Sequence, residues 1–314
     1  MTPLNVLVVT GGISHERDVS LRSGRRVADA LEHAGCLVRV VEPDAELLTL
    51  LQENRPDVVF LALHGSSGED GTLLGLLEAL EIPYVGSPSA SAMLAWTKPL
   101  ARERVADAGI SVPPGRVFTR DSFRELSAPG VLSVISTSQP LPLAVKPAHG
   151  GSAQGVSIVR EHNDLARALI DAFTYADSVL CEQYIDGIEV AVSVIEEGNG
   201  PVALPAVEIV PLSGPYDYEA RYNAGETEFF VPARLDAQVA DALSDAAVRV
   251  HTVLGLRDVS RIDFIVDREG SPWFLEANAI PGMTETSLLP LALEASGRNT
   301  ADVYGALAAR AAAR

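Results

Sequence analysis

From residue 4 to about residue 80 the chain alternates short apolar runs with helical ones, and no other feature narrows its fold so far. An apolar strand over residues 4–10 ends at Gly11-Gly12, and an amphipathic segment from about Ser20 to His33 follows, with Val27, Leu31 and Ala34 on one side. Strands near 37–42 and 57–63 then alternate with helical segments near 45–54 and 72–80. Alternation at this spacing predicts an open, largely parallel α/β sheet, in which ligands gather at the carboxyl ends of the strands. Two loops leave those ends. One, GGISHERDVSL, holds Ser14, His15, Glu16 and Arg17, and the other, HGSSGEDG, holds His64, Glu69 and Asp70. Each is equally readable as a plain polar turn.

With 314 residues the chain has room for two or three domains. A helical stretch around 88–108 carries Lys98, and Gly109 with Pro113-Pro114 marks entry into a second unit. There LPLAVKPAHGGSAQGVSIV reads as strand, glycine-rich turn and strand. Glycines at 150, 151 and 155 let backbone amides curl around an anion, with Lys146 on the incoming strand as counter-charge. It is not a Walker loop, because no GK[ST] precedes a helix. Of the 24 basic residues only two are lysines, Lys98 and Lys146. Chance retention explains this, or the need for a compact ammonium against a phosphate.

The stretch RIDFIVDREGSPWFLEANAIPGMTETSLLP, Arg261 to Pro290, begins as a strand, turns at Asp267-Arg268-Glu269-Gly270 and returns from Pro272 to Asn278. Symmetric closure puts Asp263 opposite Glu276 and Arg261 opposite Asn278, all on one face. Two carboxylates and an amide oxygen, without His or Cys, suit a hard cation such as magnesium, and an adjacent Arg suits a transferring phosphate. A solvated polar face on a surface hairpin is the alternative. VLCEQYIDGIEVAVSVI reads as two strands joined at Asp186-Gly187, with Glu182 and Glu189 as polar interruptions. The tyrosine-rich SGPYDYEARYNAGETEF reads as an active-site lid.

A formal net charge of −18 argues against nucleic acid or an anionic membrane as partner. The N-terminus lacks a cleavable apolar leader and no apolar run reaches membrane-spanning length, so a cytoplasmic location is expected. Cys36 and Cys181 lie in apolar, strand-like surroundings and are expected as buried free thiols.

Taken in order, the motifs GGISHERDVSLRSG, LHGSSGEDGTLLGLLEALEIPYVGS, VKPAHGGSAQGVS, CEQYIDGIEV, YDYEARY, RIDF and LEANAIPGMTETSLLP resemble the ATP-grasp enzymes, and within them the D-alanine:D-alanine ligases. The resemblance implies an α/β ATP-grasp fold with an N-terminal Rossmann-like parallel-sheet domain. Its units would be a substrate-side domain over residues 1–95, a central subdomain with the phosphate loop over 96–181, and a C-terminal subdomain with metal site and lid over 182–314. It implies that ATP phosphorylates one D-alanine, that a second attacks the acylphosphate, and that the dipeptide serves peptidoglycan synthesis.

By the same resemblance Asp263, Glu276 and Asn278 would hold two magnesium ions, manganese being the other candidate. Lys98, Lys146, Gly151, Ser152 and Arg221 would meet the ATP phosphates. The strand through Glu182, Gln183 and Ile185 would meet the adenine, and Glu189 the ribose. Glu16 would hold the first D-alanine's ammonium in a triad with Ser152 and Tyr222, with His64 also on the substrate side. Arg261 and the Gly282 amide would stabilise the oxyanion, and Ser287 and Leu288 would receive the second carboxylate. A homodimer is implied as well. The chain departs from the usual pattern at Arg221 for lysine, Gly150 for glutamate, Ala153 for serine, Gln183 for lysine and Thr97 for aspartate. The altered phosphate loop leaves room for a ligase joining another amino- or hydroxy-acid pair in secondary metabolism; a nucleotide-binding regulator without turnover is the other alternative, against which the intact Asp263, Glu276, Asn278 and Arg261 set speaks.

Overall fold

The computed structural model describes residues 3–212, 216 and 225–314. Four strands, β1 (Asn5–Val9), β2 (Leu37–Val41), β3 (Val58–Leu61) and β4 (Tyr84–Val85), form a parallel sheet in the order β2-β1-β3-β4. Its helices are α1 (Arg17–His33), α2 (Leu47–Glu53), α3 (Ser66–Glu69) and α4 (Thr72–Ala79). The expected parallel sheet is therefore present. In its middle, the four residues of β3 are all buried, as a strand covered on both faces requires, whereas the edge strand β2 stays largely exposed.

Helix α1 starts at Arg17, earlier than its apolar periodicity suggested, which sets Glu16 at the N-cap. The HGSSGEDG loop contains the short helix α3, because Gly65 and Gly71 take positive φ and allow tight entry and exit. The stretch 88–108 is two helices, α5 (Ser89–Trp96) and α6 (Lys98–Asp107), broken at Thr97, whose ψ of 86° is not helical. Pro99, just after the break, fits the first turn of α6.

The central unit is an antiparallel sheet in the order β5-β8-β6-β7, built from β5 (Gly115–Thr119), β6 (Leu143–Pro147), β7 (Ser157–Val159) and β8 (Ser178–Gln183). Helices α7 (Arg120–Glu125), α8 (Ala128–Ser138) and α9 (Leu165–Phe173) belong to it. The third sheet runs β12-β11-β9-β13-β14, with β10 beside β9. Its strands are β9 (Gly187–Glu197), β10 (Gly200–Ala203), β11 (Val207–Pro211), β12 (Thr227–Phe230), β13 (Val259–Asp267) and β14 (Pro272–Asn278). Helices α10 (Ala237–Val253), α11 (Leu288–Ala295) and α12 (Thr300–Ala312) complete the fold. The two strands joined at Asp186-Gly187 thus belong to different sheets.

One apolar core runs through both the first and third sheets, from Val8 and Phe60 to Phe264 and Phe274. The central sheet has its own, around Ile135, Leu143, Val145, Leu169 and Val179. Helix α12 returns to the first sheet, where the Tyr304 ring packs on Phe60 at 5.4 Å and Gly305 approaches Ala34 too closely for a side chain. Cys181 is buried and Cys36 only half-buried, and both are free thiols.

Candidate active site

The hairpin closes in the expected register, pairing Arg261 with Asn278 and Asp263 with Glu276. A bulge between Asp263 and Phe264 ends the regular ladder beside these residues. Two residues apart on one strand, Arg261 and Asp263 share a face, and the guanidinium grips both carboxylate oxygens at 2.7 and 2.8 Å. Burial works against the Arg261 charge, yet Asp263 and, further off, Glu276 and Tyr216 raise its pKa. Asn278 donates to Asp263 at 3.4 Å.

Glu276 meets a cation from elsewhere: Lys98, first residue of α6, lies 3.0 Å away. The Lys98 ammonium also bonds the Gly150 carbonyl, and its backbone amide bonds Ala148 at 3.0 Å, so the break at Thr97 aims α6 at the glycine-rich turn. In that turn Gly150 and Gly155 take positive φ, and so do Ser152 and Ala153, at 51° and 53°. Two successive non-glycine residues in the left-handed region cost energy, a strain that collects at binding loops.

The Ser152 hydroxyl donates to the Glu16 carboxylate, linking the glycine-rich turn to the start of α1. Glu16 lies against Gly65, where a Cβ would sit 2.5 Å from its Oε2. The Gly65 amide donates to Glu69 at 2.9 Å. Two carboxylates thus share one small region, and burial together with the neighbouring Glu16 charge pushes the Glu69 pKa up to about 8. The Ser14 hydroxyl, bonded to the His64 carbonyl at 2.7 Å, ties the two N-terminal loops together.

His64 borders a cavity that Glu16 and Glu69 also line, but is only 4% exposed. Its Nε2 sits 2.8 Å from the Ser23 hydroxyl, and that oxygen accepts from the Met283 amide at 3.3 Å. Burial pushes the His64 pKa down to about 4, so the ring is neutral, and it also bonds the Ile280 backbone. Ser23 and His64 therefore clamp the segment from Ile280 to Met283, which contains Gly282. A Cβ on Gly282 would lie 2.7 Å from the Ser287 hydroxyl. Ser287 is the N-cap of α11 but spends its hydroxyl on Thr284, at 3.0 Å to the amide and 2.8 Å to the side chain. The first amides of α11, from Leu288 on, are left without that cap and suit an anion.

One cavity brings Glu16, Ser152, Arg261, Gly282, Ser287 and Leu288 together, and His64, Gly151 and Asn278 line it too. Lys146 and Glu182 lie apart from it, on the central sheet, 2.5 Å from each other. On the strand expected to meet the adenine, the Glu182 carboxylate is buried between Lys146 and Arg102. Gln183 is exposed, Ile185 half-buried in the segment after β8, and Glu189 lies on β9 opposite Ile265. Arg221, Tyr222 and most of the expected lid fall outside the described residues. Tyr216 is buried and meets Phe229 edge-on at 6.5 Å. Sequence reading passed over Ser23 and Arg102. The signal for Ser23 was a polar residue on the buried face of α1, and for Arg102 its place one turn after Lys98.

For a magnesium ion, the donor set is the test. Among the described residues no three His, Cys, Asp or Glu side chains converge into a ready-made cage. Two carboxylates and an amide fit an ion that keeps water and phosphate in the rest of its shell.

The family model described as D-ala D-ala ligase C-terminus matches residues 105–307, and that described as D-ala D-ala ligase N-terminus matches residues 40–87. A D-alanine–D-alanine ligase from Pelotomaculum thermopropionicum is 41% identical over 295 residues, covering 94% of this chain and 92% of the relative. Another, from Syntrophotalea carbinolica, is 40% identical over 309 residues, covering 98% and 96%. Among solved structures, the D-Ala:D-Ser ligase VanG from Enterococcus faecalis superposes with a TM-score of 0.83 at 27% identity, covering 99% of this chain and all of that one. The D-alanine–D-alanine ligase from Bacillus anthracis complexed with ATP gives 0.81 at 28% identity, covering 99% and 97%. Matched along almost its whole length by such relatives, with the hairpin, the glycine-rich turn and the α11 N-terminus facing one cleft, the chain belongs to the D-alanine–D-alanine ligase family.

Proposed function

We infer that this protein is an ATP-dependent ligase that joins two D-alanines into D-alanyl-D-alanine for peptidoglycan. The observation that supports this best is the meeting of Lys98 with Glu276 beside the Arg261–Asp263 pair, which sets phosphate-binding cations against a metal-binding face. A carboxylate oxygen of the first D-alanine attacks the γ-phosphorus of ATP, and ADP leaves. The neutral amine of the second then attacks the acyl carbon, the bond to the phosphate oxygen breaks, and inorganic phosphate departs, taking up the proton that the nitrogen sheds.

In this reading the first ammonium sits on Glu16, oriented by Ser152, with the buried Glu69 nearby. Lys98 and Lys146 turn to the phosphates, while Arg261 and the Gly282 amide face the oxygen that gains charge at the acyl carbon. The second carboxylate is received at Ser287 and Leu288 by the open amides of α11. Asp263, Glu276 and Asn278 would hold magnesium, which supplies charge neutralisation on the transferring phosphate. The reading includes a homodimer acting in the cytoplasm; no helix among the described residues is long and apolar enough to cross a membrane.

The test is mass spectrometry of products formed with ATP, magnesium and a panel of D-amino and D-hydroxy acids. D-alanine alone should give the dipeptide. The D-Ala:D-Ser ligase among the structural neighbours makes D-serine the acceptor to compete against it. A product containing D-serine or D-lactate in preference would overturn the acceptor, and no nucleotide turnover with any acid would overturn the enzyme.

A further inference from the structure

Arg102 is 6% exposed and lies one helical turn after Lys98 on α6. Its guanidinium is 3.0 Å from one oxygen of Glu182, while Lys146 is 2.5 Å from the other. None of the three side chains is more than 8% exposed, so two buried cations share one buried carboxylate. Beside this ion pair, Arg102 donates a hydrogen bond to the Pro113 carbonyl, where the chain enters the central unit.

The two cations are not held alike. Gly115 faces Glu182 across β5 and β8, and a Cβ there would sit 2.8 Å from the Glu182 Cβ and 3.0 Å from Arg102 Nη1. Packing and the Pro113 carbonyl therefore fix the Arg102–Glu182 pair. Lys146 reaches the same carboxylate from β6 on a flexible stem, through a single contact. Burying a carboxylate without a cation is strongly unfavourable, so Lys146 can leave Glu182 for a phosphate only where another cation stays behind. A planar head held by the Pro113 carbonyl suits the one that stays, and a point charge on four methylenes the one that moves.

We propose that Arg102 is a positioning residue of the nucleotide site: it keeps Glu182 neutralised and thereby frees Lys146 to meet an incoming polyphosphate. This rests on the nucleotide reading given above. Without Arg102, Glu182 still has Lys146, so the unliganded fold persists, but Lys146 is tied to it. The surplus positive charge that a polyphosphate would offset is lost as well.

The experiment measures ADP binding by titration calorimetry, the unliganded melting temperature, and KM for D-alanine in an ADP-release assay. Arg102→Met should weaken ADP binding about tenfold or more, a loss of about 1.4 kcal/mol. Its unliganded melting temperature and its KM for D-alanine should stay close to wild type. Arg102→Lys, which keeps the charge and gives up the fork, should recover ADP affinity to within about threefold. Wild-type ADP affinity in Arg102→Met overturns the proposal, as does a fall in melting temperature with ADP affinity intact, which would make Arg102 a structural brace. Should Arg102→Met not fold, Arg102→Gln is read by the same criteria, and failure of Arg102→Lys to recover affinity overturns the role of the charge. A wild type that binds no ADP would sink the nucleotide reading itself, before any variant is made.

Discussion

Lys98 on α6 lies 3.0 Å from Glu276 on β14, so a residue from outside the hairpin neutralises half of its acidic face. Arg261, 2.7 Å from Asp263, neutralises the other half from within. The acidic face of the hairpin is thus charge-balanced before any substrate arrives. Phosphates that draw Lys98 away would leave Glu276 to a metal ion in the same step.

Glu276→Gln tests that exchange. The amide still accepts a bond from Lys98, so the fold should hold, but it cannot offset metal charge on a phosphate. Turnover should fall by well over about tenfold, that is by more than ~1.4 kcal/mol of barrier. The check is ADP release at saturating magnesium with a melting curve alongside; a variant working at more than a tenth of the wild-type rate would remove Glu276 from the metal site.

For Lys146 the informative change is the conservative one. Lys146→Ala should weaken ATP use, and Lys146→Arg should restore it only in part, since a planar head does not fit where a point charge 2.5 Å from Glu182 does. Steady-state kinetics against ATP decide this. Full rescue by arginine would return the scarcity of lysine to chance.

Glu69 predicts a pH dependence of stability. Its folded pKa of about 8 lies above the usual 4.5, so between those values the folded state binds a proton the unfolded chain has lost, and stability falls as pH rises. His64 acts in the opposite sense and lower down: with a folded pKa of about 4 against 6.5, it lowers stability as pH falls from 6.5 to 4. Above 6.5, of these two groups only Glu69 still contributes a slope. Glu69→Gln should therefore flatten the decline in urea midpoint from there up to about pH 8. An unchanged slope would mean that the folded site already holds Glu69 ionised.

Ser23→Ala should loosen the segment around Gly282 by removing the acceptor for the Met283 amide and the partner of His64. The loss of about 1 kcal/mol expected for such a bond corresponds to a drop in kcat of about fivefold. ADP affinity should not change, and Ser23→Thr should recover the rate. A variant with wild-type kcat would show that turnover does not depend on this clamp.

The hairpin was legible in the sequence because its chemistry follows from local rules. A four-residue turn and a period of two suffice to set Asp263 opposite Glu276. The parallel sheet followed from alternation alone. What stayed hidden depends on long-range closure. That Lys98 turns to Glu276 needs the break at Thr97; Pro99 was the one local sign of it, and nothing local says where the second helix then points. That Glu182 serves two cations needs β5, β6 and α6 to converge, and no spacing encodes it. Glu69 was visible only as one acid in a polar loop; its burial depends on α3, too short to show a period.

The return of α12 to the first sheet bears on how the protein comes off the ribosome. Tyr304 on Phe60, and Gly305 against the end of α1, show that the first sheet is completed by a helix made after both of the other sheets. Until that helix is released from the exit tunnel, the strands synthesised first present an uncovered apolar face. Vectorial synthesis cannot finish the N-terminal unit in advance, and a nascent chain stalled after β14 should still need a chaperone for a sheet whose strands are all made.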